Sequence, residues 1–131
     1  KRNTGALISD RRGKVTTYAC VNTVDRGELF VSVGTEVYDG MVIGERNKTN
    51  DLSLNITREK KLSNMRSSGS DNTVTVRPPR ELSLDQSIEF ISEDELIEIT
   101  PTAVRLRKME LNQQKREAAQ KKERLSDKQT Y

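Results

Sequence analysis

SLDQSIEFISEDELIEITPTAVRLRK, residues 83–108, carries the clearest local instructions in the chain. Ser83 suits an N-cap, and Gln86 three residues later completes a capping box that satisfies N–H groups left unpaired at a helix start. Asp85 places a negative charge in the first turn, where the helix dipole favours it. Leu84, Ile88 and Ile91 recur at helical spacing, so a short helix is expected with these three on its apolar face and acids on the other. Leu96 to Ile99 and Ala103 to Leu106 read as two short strands around Pro101, a hairpin.

Working toward the N-terminus, the chain reads as β. Leu7-Ile8-Ser9 is a short strand, Asp10 to Gly13 a turn, and Lys14 to Val21 a second strand with Val15, Thr17, Ala19 and Val21 on one face. The two form an expected hairpin. Glu28 to Val33 and Met41 to Ile43 are further strands, and Gly34, Gly40 and Gly44 suit tight turns or bulges in a small barrel. Residues 45–72 hold few large apolar groups and read mostly as loop. That length marks a functional or disordered segment. Val74 and Val76 alternate with threonines as a short strand that Pro78-Pro79 ends. From about Met109 to Leu125 the composition is helical but sparse in apolar residues, so a solvated, fraying helix is expected.

The fold class is therefore mainly β (α+β): a small barrel-like antiparallel sheet with one short capped helix, a long exposed loop and a C-terminal helix. Residues 1–111 form the expected domain, and residues 112–131 a helical, partly frayed tail.

Charge is segregated along the chain. Residues 46–80 carry eight basic and three acidic groups, residues 81–100 seven acidic and no basic ones, and residues 101–131 nine basic and four acidic. Such segregation fits a polyanion-facing surface beside an acidic one. The chain opens on Lys1, which suggests a fragment or processed product. It shows neither a secretory leader nor a run of about 18 apolar residues, so neither export nor membrane spanning is expected. A single cysteine, Cys20, suits a reducing compartment.

Enzyme chemistry fits poorly. The chain has no His and one Cys, which removes the commonest general base, a zinc site and a Cys–His nucleophile. Gly44 to Thr49 faintly resembles a phosphate-binding loop but lacks the glycine before the lysine. No catalytic or metal-binding residue is assigned.

The segment from Lys60 to Asp71 combines Lys60, Lys61 and Arg66 with Ser, Asn and Gly. Cations neutralise phosphates, Ser and Asn bond phosphate or 2′-hydroxyl oxygens, and Gly lets backbone N–H groups approach closely. On composition alone a solvated loop is the better reading. Arg105, Arg107 and Lys108 form a second basic cluster, with Arg105 and Arg107 on one strand face.

Resemblance changes that balance. KKLSNMRSSGSD, residues 60–71, resembles the KKLTNMRASG-type signature of the BipA/TypA family of ribosome-associated translational GTPases. RGELF at 26–30, GTEVYDGMVIGE at 34–45, RPP at 77–79 with LDQSIEF at 84–90, and DELIEITP at 94–101 with RLRK at 105–108 resemble further motifs of that family, in order, from about Gly5 to Leu111. The resemblance implies a C-terminal domain that contacts RNA and is not itself an enzyme. Its partners would be large-subunit rRNA and the acceptor end of A-site tRNA, near the peptidyl-transferase region. It implies a cytoplasmic, ribosome-associated monomer with no membrane partner, linked to translation and large-subunit assembly under stress. GTP and Mg would belong to the absent GTPase domain, and no cofactor to this chain. Lys60, Lys61, Asn64, Arg66, Ser67, Ser68, Gly69 and Ser70 become RNA-contact candidates, with Arg105, Arg107 and Lys108 beside them. The alternative is a protein-interaction module that binds a ribosomal protein through the acidic helix.

Overall fold

Alternation of apolar side chains across two central strands builds the domain. The computed structural model describes residues 2–60 and 76–129. Strand β1 (Ala6–Ser9) is buried at every position, and β5 (Met41–Arg46) at its first four. Successive strand residues face opposite sides, so both sides of the sheet must be covered. Leu7, Met41 and Ile43 point into one core with Val15, Ala19, Cys20, Val37, Leu54 and Ile56. Ala6, Ile8 and Val42 point into the other with Phe90 and Leu106.

The main sheet runs β6 (Leu52–Leu54), β1, β5, β8 (Val104–Lys108), β7 (Glu95–Ile99). One edge of β5 lies along β1. Its other edge is divided: Met41 and Val42 pair with Arg107 and Leu106, while Gly44 to Arg46 pair with β3 (Gly27–Leu29). Gly44 therefore lies between Leu7 and Leu29. A Cβ there would fall against the Glu28 carbonyl oxygen and 3.0 Å from a Leu7 methyl, so close backbone approach demands glycine. Strands β2 (Gly13–Lys14) and β4 (Glu36–Val37) form a separate ribbon.

The class stands as sheet-dominated α+β, with several particulars corrected. The sheet is open, with β6 and β7 at its ends, and the β1–β6 pair is parallel. Of the expected strand from Lys14 to Val21, only Lys14 lies in a strand, and the chain from Thr17 is instead helix α1 (Thr17–Thr23). Thr16 caps it by accepting from the Ala19 N–H, and the buried Ala19, Cys20 and Thr23 form one helical stripe. Capping and burial here override the β preference of Thr, Tyr and Val. Within the expected loop of residues 45–72, Leu52 to Leu54 add a strand, and Ile56 is fully buried. The strand expected over 28–33 ends at Leu29. Val76 lies outside any strand, and Val74 lies outside the described residues.

The capping box at Ser83 is formed as read, and α2 spans Leu84–Phe90. Its buried residues, however, are Ser87 and Phe90, while Leu84 and Ile88 are 42% and 55% exposed. Phe90 meets Phe30 edge to face at 5.1 Å, and that ring pair sets the helix rotation. The hairpin β7–β8 forms in register from Glu95↔Lys108 to Ile99↔Val104. Helix α3 (Gln113–Gln129) starts later than Met109. Its early turns are held by buried Arg116, which donates to the Glu110 and Leu111 carbonyls and to Asp39.

Candidate nucleic-acid interface

Helix α1 is the platform on which the chain both enters and leaves the cation-rich segment. Thr16, its cap, donates its hydroxyl to the Arg58 carbonyl at 2.5 Å and its N–H to the Ile56 carbonyl at 3.1 Å. The Arg58 guanidinium stands 5.9 Å from the Tyr18 ring centroid, within reach of a cation–π contact. On the return side, Val76, Arg77 and Pro78 line a cleft of about 360 Å³ against Cys20 and Val21 of α1 and Val24, its C-cap. Arg58, Lys60 and Arg77 are exposed there. Arg80 is engaged elsewhere. It pairs with Glu45 at 2.8 Å and Glu28 at 3.6 Å, and lies over Phe30.

Of the residues assigned from the signature, Lys60 is exposed at the end of the described chain. Lys61, Asn64, Arg66, Ser67, Ser68, Gly69 and Ser70 lie outside the described residues. Arg58 and Arg77 were not singled out as contacts from sequence, although both belong to the basic block of residues 46–80.

Arg105 and Arg107 share a face of β8, cross-strand from Glu98 and Leu96. Arg105 is exposed and Arg107 half-buried. Glu98 also accepts the Tyr38 hydroxyl proton. Burial, followed by that carboxylate, pushes the Tyr38 phenol well above its usual range.

Lys108 requires a correction. It is 2% exposed, and its ammonium contacts Asp51 at 2.5 Å, Glu95 at 2.8 Å and Asp94 at 2.9 Å. Arg2 completes the cluster with two bonds to Glu95 at 2.7 and 2.9 Å, and its guanidinium lies 4.3 Å from the Phe90 ring centroid. Burial by itself would raise the Glu95 carboxyl. The bonds from Arg2 and Lys108 outweigh it and hold the group below the usual carboxylate range. Burial would likewise lower Lys108, but Asp51, Glu95 and Asp94 hold it above the usual lysine range. Lys108 thus ties the sheet end together, its buried ammonium enclosed by carboxylates. Strand alternation carried that signal, since Lys108 has the opposite parity to Arg105 and Arg107.

Gly44 sits mid-strand, so the segment from Gly44 to Thr49 is not a phosphate-cradling turn and does not fit a nucleotide. Burial pushes the Cys20 thiol up, away from a reactive thiolate. Among the described residues, no group of three His, Cys, Asp or Glu could hold a metal ion, and no helix is long and apolar enough to cross a membrane.

Residues 4–113 match the family profile described as the TypA/BipA C-terminal domain. The chain belongs to this family. It is 46% identical over 125 residues to the large ribosomal subunit assembly factor BipA of Bacillus subtilis, a match covering 95% of this chain and 20% of that protein. The proteins of the same name from Salmonella typhimurium and Escherichia coli K12 are 46% and 45% identical over 119 residues, covering 91% of this chain and 20% of each. The chain thus spans about a fifth of the length of the curated relatives it matches. What it matches in the BipA family is a C-terminal domain and not a catalytic one, so this chain by itself is not assigned an enzymatic activity.

Proposed function

We propose that this domain is an RNA-contacting module with which a BipA-type factor holds the ribosome during large-subunit assembly. The observation that carries the reading is the placement of exposed Arg58 and Arg77 beside α1, where the chain enters and leaves the signature segment that begins at exposed Lys60. The relatives' name as large ribosomal subunit assembly factors supports the partner. In this proposal the segment from Lys60 to Ser70 meets large-subunit rRNA and the A-site tRNA acceptor end near the peptidyl-transferase region. The domain acts in the cytoplasm, on the ribosome. GTP and its Mg would be held by a part of the full-length protein outside this chain.

The mechanism is electrostatic docking and positioning. Lys and Arg neutralise phosphates, while Ser, Asn and Gly supply short hydrogen bonds to backbone and ribose. Neither stacking aromatics nor sequence readout is required. If Lys60, Lys61 and Arg66 neutralise three phosphates, the log-affinity for large subunits or acceptor-stem RNA falls with log-salt at a slope of roughly −2 to −3. Changing all three to Gln should remove most of that slope and most of the binding. Salt-independent affinity, or a triple variant that binds as tightly as the parent, overturns the proposal.

A further inference from the structure

The rotation of α2 leaves a surface that the RNA reading does not use. Phe90 and Ser87 face the core. Leu84 and Ile88, one turn apart, are 42% and 55% exposed. Around the helix they lie between that buried side and the acidic side made by Asp85 and Glu89. Glu81, just before the cap, is also exposed.

The electrostatics select the occupant. Residues 81–100 contain seven acids and no base. Glu95, Asp94 and Glu98 are engaged with Arg2, Lys108 and Tyr38. Glu81, Asp85 and Glu89 remain on the surface beside the two apolar side chains. Arg2 and Arg80 line a cavity with Glu89, but they are paired with Glu95, Glu45 and Glu28, so the outward charge of Glu81, Asp85 and Glu89 disfavours a nucleic acid or an anionic lipid surface. A peptide segment with Leu, Ile or Val at helical spacing and Lys or Arg between them would match both features.

We propose that the exposed face of α2, centred on Leu84 and Ile88 and rimmed by Glu81, Asp85 and Glu89, docks a basic amphipathic segment of another protein. The acids steer and orient the segment, and the apolar pair supplies the desolvated contact that gives affinity. The surface differs from the cation-bearing one at α1, so loss of RNA binding and loss of this docking are separable.

The test uses the 131-residue chain and a 16-residue probe of Lys with Leu at helical spacing. Controls are its Glu-for-Lys counterpart, a Lys–Ser peptide without Leu, and a single-stranded RNA. Amide shifts locate each ligand and fluorescence anisotropy gives its affinity. Saturable binding of the Lys–Leu peptide centred on residues 83–91 is expected. The exposed pair changed together, Leu84→Ser with Ile88→Ser, should weaken it about tenfold or more while the urea midpoint holds. Glu81→Gln with Glu89→Gln should weaken it and flatten its salt dependence. No saturable binding, shifts mapping elsewhere, equal binding of the Glu–Leu peptide, or RNA occupying α2 overturns the proposal. So does self-association of the chain that the double serine variant abolishes.

Discussion

Replacing Lys108 by Met keeps most of the side chain's apolar stem and removes its charge from the cluster at the sheet end. Asp51, Asp94 and Glu95 would then share Arg2 alone, and the Glu95 side chain has no exposed surface. Removing one partner from a buried ion pair leaves an uncompensated charge and costs about 3–5 kcal/mol. With m of roughly 1.5 kcal/mol/M, the urea midpoint followed by circular dichroism should fall by about 2–3 M at pH 7. The pH dependence supplies a sign. In the parent, Glu95 is held below the usual range, so its contribution is present above the unfolded carboxylate pKa of about 4.3 and is lost as pH falls through the folded value. In the variant the Arg2 bonds to Glu95 remain and that of Lys108 is lost, so the carboxyl is held less far below the usual range. Acidification below about pH 4.3 should then erode the variant's stability less than the parent's. A midpoint shift below about 0.5 M, together with weakened RNA binding, would refute this reasoning and return Lys108 to the contact surface.

Gly44→Ala drives a methyl into the β1–β5–β3 seam and should cost about 1–3 kcal/mol in urea unfolding. A neutral outcome would mean that β3 can move aside. Ser83→Ala removes the N-cap acceptor of α2 and should cost about 1 kcal/mol, visible as faster amide exchange at Gln86. Unchanged exchange there would discount the cap. Arg105→Gln with Arg107→Gln should leave stability within about 0.5 kcal/mol while making the salt slope of RNA binding shallower by roughly 1–2. An unaltered slope removes both from the interface.

The candidate interface was legible in outline and only in part residue by residue. The cation-rich segment stands out by composition, and its family signature names the residues. Arg105 and Arg107 were placed on one face by simple alternation. Lys108 was grouped with them by adjacency, and its charge signalled solvent exposure. Nothing nearby in sequence reveals Asp51, whose carboxylate makes burial of that ammonium tolerable, or Arg2, which shares Asp51 and Glu95 with it.

The same division runs through the fold. The capped helix at Ser83 and the hairpin around Pro101 are local objects, fixed by groups a few residues apart, and the sequence by itself determined both. It also determined the family and the segregation of charge. Only the tertiary structure decided that Thr17–Thr23 is a helix, because Thr16 finds its second partner in the Arg58 carbonyl far along the chain. It alone made Leu52–Leu54 a strand parallel to β1. It also turned Leu84 and Ile88 outward, because Phe90 packs against Phe30 and the core. Helical periodicity states which residues share a stripe, but which stripe is buried depends on the surface it meets.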